Sequence, residues 1–265
     1  MDTRTLGELK DRMNDIEALI DDDSLLVKKS IAIVLAKVGL SLDGRVEKVL
    51  FEALELEVNL ENKKELISVL GNIETALVIE YLAEELLDGS VLSQEAGGAL
   101  IKIGKKDCLG VEMKITELLK DKDLLQTVKV RLLKILTRVK IYISYSLLQE
   151  FLGVDENVEI KKMAILALGN ISTDRVKEIF PKFLEALKDN RIDVRCSLAT
   201  ALGNILKTLK KEMDTFGIYD SLKSLLYDCS IDVRKSAVDA LQEVGSGEAI
   251  ELLAERLRIL EAGQD

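Results

Sequence analysis

Arg131, Lys134 and Arg138 stand at i, i+3 and i+7 in the stretch VKVRLLKILTRV. On a helix that spacing puts three cations on one face. Such a face docks carboxylates or phosphates, or it is a solvated helix surface. The three belong to a basic block: residues 101–140 carry 11 Lys and Arg against 5 Asp and Glu, in a chain of net charge −10. Other chemistry is scarce. The chain has no histidine, which removes Ser–His and Cys–His nucleophiles and histidine metal sites. Cys108, Cys196 and Cys229 form no CxxC pair and are odd in number, so they read as reduced thiols of an intracellular protein and make no zinc site. Gly97–Gly98 lacks the Gly-Lys-Ser/Thr of a phosphate loop. The 47 acidic residues read as a solvated acidic surface, with no pair singled out for acid–base work. The expectation is a protein with no catalytic residue, no cofactor and no metal.

The acidic balance disfavours broad binding to nucleic acid or an anionic membrane, where affinity rests on neutralising phosphates. No apolar run approaches the length of a membrane-spanning helix, and IAIVLAKVGLSL is broken by Lys37. The polar, acidic opening MDTRTLGELKDRMNDIEALIDDD does not read as a signal peptide. A cytoplasmic location is expected.

The elements that must position the cations are given by a repeat. LGNI occurs at Leu70–Ile73, Leu168–Ile171 and Leu202–Ile205, and its leucine has equivalents at Leu35, Leu100, Leu136 and Leu241. The successive steps are 35, 30, 36, 32, 34 and 39 residues. Seven units therefore tile the chain, a period that belongs to stacked helical hairpins. In the fourth, Val128, Leu132, Ile135, Leu136 and Val139 make one apolar helical stripe. An amphipathic segment such as VEMKITELLK or IYDSLKSLLYD precedes each anchored helix. Each unit is thus helix A, turn, helix B, over residues 5–42, 43–74, 75–107, 108–142, 143–173, 174–214 and 215–246, closed by a helix over 247–261. The glycine of LGNI is small enough to let adjacent helices approach closely, whereas Gly97 and Gly98 inside the third B helix each weaken it by roughly 1 kcal/mol against alanine.

In six units an acid precedes a base by six positions: Asp22/Lys28, Glu57/Lys63, Asp123/Lys129, Asp155/Lys161, Asp189/Arg195 and Asp228/Arg234. A cation in a helix's first turn opposes the helix dipole, so acids are expected to reach the bases of adjacent units as a ladder. The third unit has Leu87 and Ser93 at those places.

DNRIDVRCSLATALGNI and DCSIDVRKSAVDALQEVG resemble the helix–turn–helix signature of HEAT repeats, most closely the short HEAT-like units first noted in bilin lyases. Pro181 in the sixth helix A is similar to the proline of that family's first helix. The resemblance implies an all-α solenoid, a right-handed superhelical stack of about seven hairpins as a single repeat domain over 1–265, with an Asp–Arg ladder and a concave surface lined by B helices. On such a surface the fourth unit offers Arg131, Lys134 and Arg138, joined by Lys102 of the third. Equivalent positions are Met163, Leu166 and Asn170 in the fifth unit, Ser197, Thr200 and Asn204 in the sixth, and Ser236, Asp239 and Glu243 in the seventh. These residues read as a groove for a protein partner with an acidic or phosphorylated segment, and the chain as a non-enzymatic scaffold. The alternative implied by the resemblance is a bilin-lyase-like role on a phycobiliprotein chromophore. Enzymatic HEAT classes that use His–Glu metal ligands, or a basic aromatic DNA channel, do not match a chain without His or Trp.

Overall fold

The computed structural model describes residues 19–153, 156–209 and 217–261. Among these, the regular structure is fourteen α-helices and one 3-10 turn, with a lone parallel bridge between Ile141 and Ile171. The chain divides into two compact units, residues 1–114 and 115–265.

The first unit holds α1 (Leu25–Lys37), α2 (Arg45–Leu56), α3 (Leu60–Leu70), α4 (Ala76–Asp88), α5 (Ser93–Gly104) and the start of α6 (Cys108–Leu119). The second holds the rest of α6, then α7 (Gln126–Leu136), α8 (Tyr145–Glu150), α9 (Val158–Leu168), α10 (Val176–Ala186), α11 (Ile192–Thr208), α12 (Ile218–Leu226), α13 (Ile231–Val244) and α14 (Gly247–Glu261). Every repeat from the second onward is the expected helix–turn–helix. For the first, only helix B (α1) and the end of the preceding segment fall among the described residues. Second helices pack on second helices: α1 on α3 and α3 on α5 in the first unit, α7–α9–α11–α13 in the other. The apolar stripe follows its spacing, since Val128, Leu132, Ile135, Leu136 and Val139 are all buried, and Leu133 with them.

The LGNI glycines are contact points. A Cβ on Gly71 would lie 3.0 Å from the Ala99 Cα, one on Gly169 2.8 Å from the Ala201 Cα, and one on Gly203 2.9 Å from the Ala240 Cβ. Each glycine thus meets a small residue of the next second helix, and the two backbones sit closer than side chains would permit. Gly98 differs. A Cβ there meets nothing within 4 Å, in mid-helix on the exposed side of α5. Gly98→Ala is expected to raise stability by about 0.5–1 kcal/mol through helix propensity. A urea melt measures it, and an unchanged or lowered midpoint contradicts it.

Acid–base pairs between repeats follow the expected plan in part. Arg195 is bidentate to Asp228 of the next repeat, with Nε–Oδ2 at 2.6 Å and Nη2–Oδ1 at 2.8 Å. Lys161 meets Asp189 at 2.8 Å. The partner of Glu57 in the first repeat is Lys29, at 2.9 Å, in place of Lys28. One residue along a helix is a 100° turn, and Lys29 is on the side facing Glu57. Asp155 lies outside the described residues. Within a repeat the base donates to backbone: Arg195 Nη1 to the Asp189 carbonyl at 2.7 Å, Arg234 Nη1 to the Asp228 carbonyl at 2.8 Å. The acids meanwhile accept from the first backbone N–H groups of their own turn, Asp189 from Arg191 and Asp228 from Ser230. An anion therefore stands at each helix start, offsetting the cation that would oppose the dipole.

Two carboxylates depart from the expected solvated surface: Glu47 and Glu112 are buried. Glu47 Oε1 accepts from Ser41 Oγ at 2.7 Å and from Thr75 Oγ1 at 3.0 Å, while Thr75 caps α4 through the Val78 N–H. One carboxylate thus ties the turn after α1 to the start of α4. Its neighbourhood is a tight turn with Leu42, Asp43 and Gly44 all at positive φ.

A candidate partner-binding face on the second helices

Within the 115–265 unit, α7, α9, α11 and α13 turn a common side outward. Cross-helix contacts align their residues. Lys162 of α9 pairs with Glu159 and reaches Asp193 of α11. Lys207 of α11 pairs with Glu243 of α13. The Asn170 amide donates to the Thr137 carbonyl at the end of α7, at 2.6 Å. Below it, Ile141 and Asn170–Ser172 exchange backbone bonds, Ile141 N–H to the Asn170 carbonyl and Ser172 N–H to the Ile141 carbonyl. The far end is closed by α14, whose Glu255 takes Lys223 of α12 and whose Arg256 lies 4.7 Å above the Tyr227 ring.

On this side Lys134 and Arg138 are exposed and Arg131 is half-buried. Neither Lys134 nor Arg138 makes an ion pair among the described residues. Met163, Leu166, Asn170 and Asn204 are half-buried, Thr200 is exposed and Ser197 is buried. Asn170, expected in the partner-binding groove, also has its amide engaged in joining the end of α9 to the end of α7, a use that requires knowing where the end of α7 falls. The Thr200 hydroxyl donates to the Cys196 carbonyl in its own helix. Lys102 is exposed on α5, in the other compact unit. The structure thus gathers Arg131, Lys134, Met163, Leu166, Thr200 and Asn204 on one run of packed helices, with Arg138 and Asn170 in the turns that follow α7 and α9 and Lys102 on a different run.

Electrostatics near the face are set by the ladder. Hydrogen bonds from Arg195, then the Ser230 N–H, hold the Asp228 carboxyl below its ordinary range, against the opposing effect of burial. Arg191 first, and Lys161 after it, do the same for Asp189. In the first unit Lys29 lowers Glu57 to about 2. These acids stay charged far below neutral pH and keep their cations occupied, which separates those cations from Lys134 and Arg138, which make no ion pair among the described residues. Among the described residues no group of three or more His, Cys, Asp or Glu converges as a metal site, and no helix is long and apolar enough to cross a membrane. Cys229 is exposed while Cys108 and Cys196 are half-buried.

Helical hairpins stacked second helix on second helix, with a varied outer face, define an α-helical repeat protein. Residues 179–209 match the HEAT repeat and residues 233–258 the PBS lyase HEAT-like repeat; the chain carries HEAT repeats. No curated protein matches the sequence. Among solved structures, human deoxyhypusine hydroxylase in complex with glycerol is 20% identical over 87% of this chain and 83% of its own, at a TM-score of 0.39. An engineered protein is 22% identical over 91% of this chain and 71% of its own, at 0.43. A designed armadillo repeat protein in complex with the peptide (KR)4 is 17% identical over 87% and 98%, at 0.40.

Proposed function

We propose that this protein is a non-enzymatic scaffold that binds a protein partner along the groove lined by its second helices, with the basic side of α7 as the anchor for an acidic or phosphorylated segment. The observation that carries the reading is Lys134 and Arg138. They are exposed, Lys134 in the last turn of α7 and Arg138 in the turn that follows it, and outside the ion-pair network that engages Lys161, Lys162, Arg195 and Lys207. In a chain of net charge −10, such a patch attracts anionic groups that the rest of the surface repels.

Lys134→Glu with Arg138→Glu tests it. Affinity capture from the native cell with wild-type protein, followed by mass spectrometry, gives a partner set. The double variant is expected to lose at least one specific partner while its helicity and melting midpoint stay unchanged. An identical partner set from the variant sinks the reading.

A bilin-lyase-like role is the second reading, favoured by the short repeat of that kind at 233–258 and by the exposed Cys229 thiol. Its expected sign is a visible absorption band after added bilin, lost in Cys229→Ser.

A further inference from the structure

The face carries an ordered charge gradient across its four helices. Position by position along them, the first row reads Arg131, Met163, Ser197, Ser236. The second reads Lys134, Leu166, Thr200, Asp239, and the third Arg138, Asn170, Asn204, Glu243. The rows begin with a cation, Arg131 and Lys134 on α7 and Arg138 in the turn after it, and pass through uncharged residues of the next two repeats, of which Ser197 is buried and Asn170 follows the end of α9. They end polar or acidic on α13, and the most outward row is Lys134, Leu166, Thr200, Asp239. Paired charges do not disturb the order. Lys162 lies between Glu159 and Asp193, and Lys207 is held by Glu243. On α13 the exposed Asp232 and Asp239 stand against a single flanking Lys235, while Glu243 is taken by Lys207. Asp239 makes no ion pair among the described residues.

Packed helices lie about 8–10 Å apart. Four of them span about 25–30 Å, which an extended chain at about 3.3 Å per residue crosses in about eight or nine residues. Charge complementarity then fixes the order of charges in the occupant. We infer that the α7–α13 face takes an extended segment of about that length, acidic where it crosses α7, uncharged over α9 and α11, and basic where it crosses α13. The inference rests on the partner-binding reading above and adds to it the composition of the partner segment and its direction across the stack.

Three labelled peptides of equal length test it by fluorescence anisotropy at low salt. One has glutamates at one end, Ala, Leu and Ser in the middle, and lysines at the other end. The second has the same composition with the charges alternating. The third has glutamates at one end and no lysine. The block peptide is expected to bind about tenfold more tightly than its alternating isomer. Asp239→Lys is expected to weaken the block peptide by about two- to fivefold, the range for one exposed charge pair. It is not expected to weaken the glutamate-only peptide. Asp239→Asn serves as the milder variant, with helicity as the control for folding. Equal binding of the two isomers, or a block peptide indifferent to both Asp239 variants, overturns the inference. Binding of the glutamate-only peptide, abolished by Lys134→Glu with Arg138→Glu, leaves the anchor on α7 standing in that case. Binding of no peptide overturns both.

Discussion

Asp228→Asn is expected to lower the unfolding free energy of the 115–265 unit by about 3 kcal/mol at neutral pH, within the range for breaking one side of a buried ion pair. The guanidinium of Arg195 and the carboxylate of Asp228 keep only 8% and 11% of their side-chain surface, so an arginine left alone there has lost its anion with little water to replace it. Asparagine retains an oxygen for the Ser230 N–H, which isolates the pair. Asp228→Ala removes that cap as well and should cost about 1 kcal/mol more. Arg195→Met should cost about as much as Asp228→Asn, because it leaves the Asp228 carboxylate without its cation and also removes the Nη1 bond to the Asp189 carbonyl. Chemical denaturation of the three variants and of Arg195→Met with Asp228→Asn completes a cycle. A coupling near zero would falsify the ladder as an energetic element.

The same pair sets the acid limb of stability. Asp228 and Asp189 have folded pKa values below their ordinary values, and an unfolded aspartate titrates near 3.9. The folded state therefore holds fewer protons than the unfolded state in the window between the two. The stabilisation is complete above about pH 5 and drains away as the pH falls below about 4 toward the folded values. Asp228→Asn removes one of these groups. Its melting midpoint should fall less steeply than the wild type's between pH 5 and 2, from a lower plateau.

The repeat was legible in the sequence because its signals are local and repeated. LGNI set the register, and the spacing of Val128, Leu132, Ile135 and Leu136 identified the buried side of α7, with Val139 buried just past its end. The six-residue offset from acid to base located the ladder, since the offset is fixed by the turn before each second helix. What escaped depends on where neighbouring elements end. Glu47 reads as one more surface acid at the start of an amphipathic helix. Its partners Ser41 and Thr75 sit six residues before it and 28 after it, and no periodicity links them. The choice of Lys29 over Lys28 is likewise a matter of which way α1 is rotated against α2. At the candidate face the spacing marked Arg131, Lys134 and Arg138 as one helical stripe, but α7 ends at Leu136 and Arg138 lies in the turn beyond it. The commitment of Asn170 to the Thr137 carbonyl was not, because it joins two helix ends 33 residues apart.

Gly169→Ala and Gly98→Ala are the same chemical change and should have opposite signs. Both glycines have ordinary helical backbones, Gly169 at φ −64° and ψ −15°, so alanine strains neither, and helix propensity favours both. The difference is what the new methyl meets. At Gly98 it meets nothing. At Gly169 it arrives 2.8 Å from the Ala201 Cα and 3.0 Å from its Cβ, atoms fixed to the middle of α11 that cannot swing aside. Relief requires α9 and α11 to separate by several tenths of an ångström along a seam that also holds Leu168 and Leu202, both fully buried. Overpacking of this kind costs about 1–3 kcal/mol, which exceeds the gain in propensity. Gly169→Val adds two more methyl groups to the same seam and should be worse. Ala201→Gly removes the 3.0 Å contact with the Cβ but keeps the 2.8 Å contact with the Cα, so it should recover only part of the loss in the Gly169→Ala background, and alone it destabilises α11 by about 0.5–1 kcal/mol. A double variant whose losses simply add would place the cost elsewhere than in the α9–α11 contact.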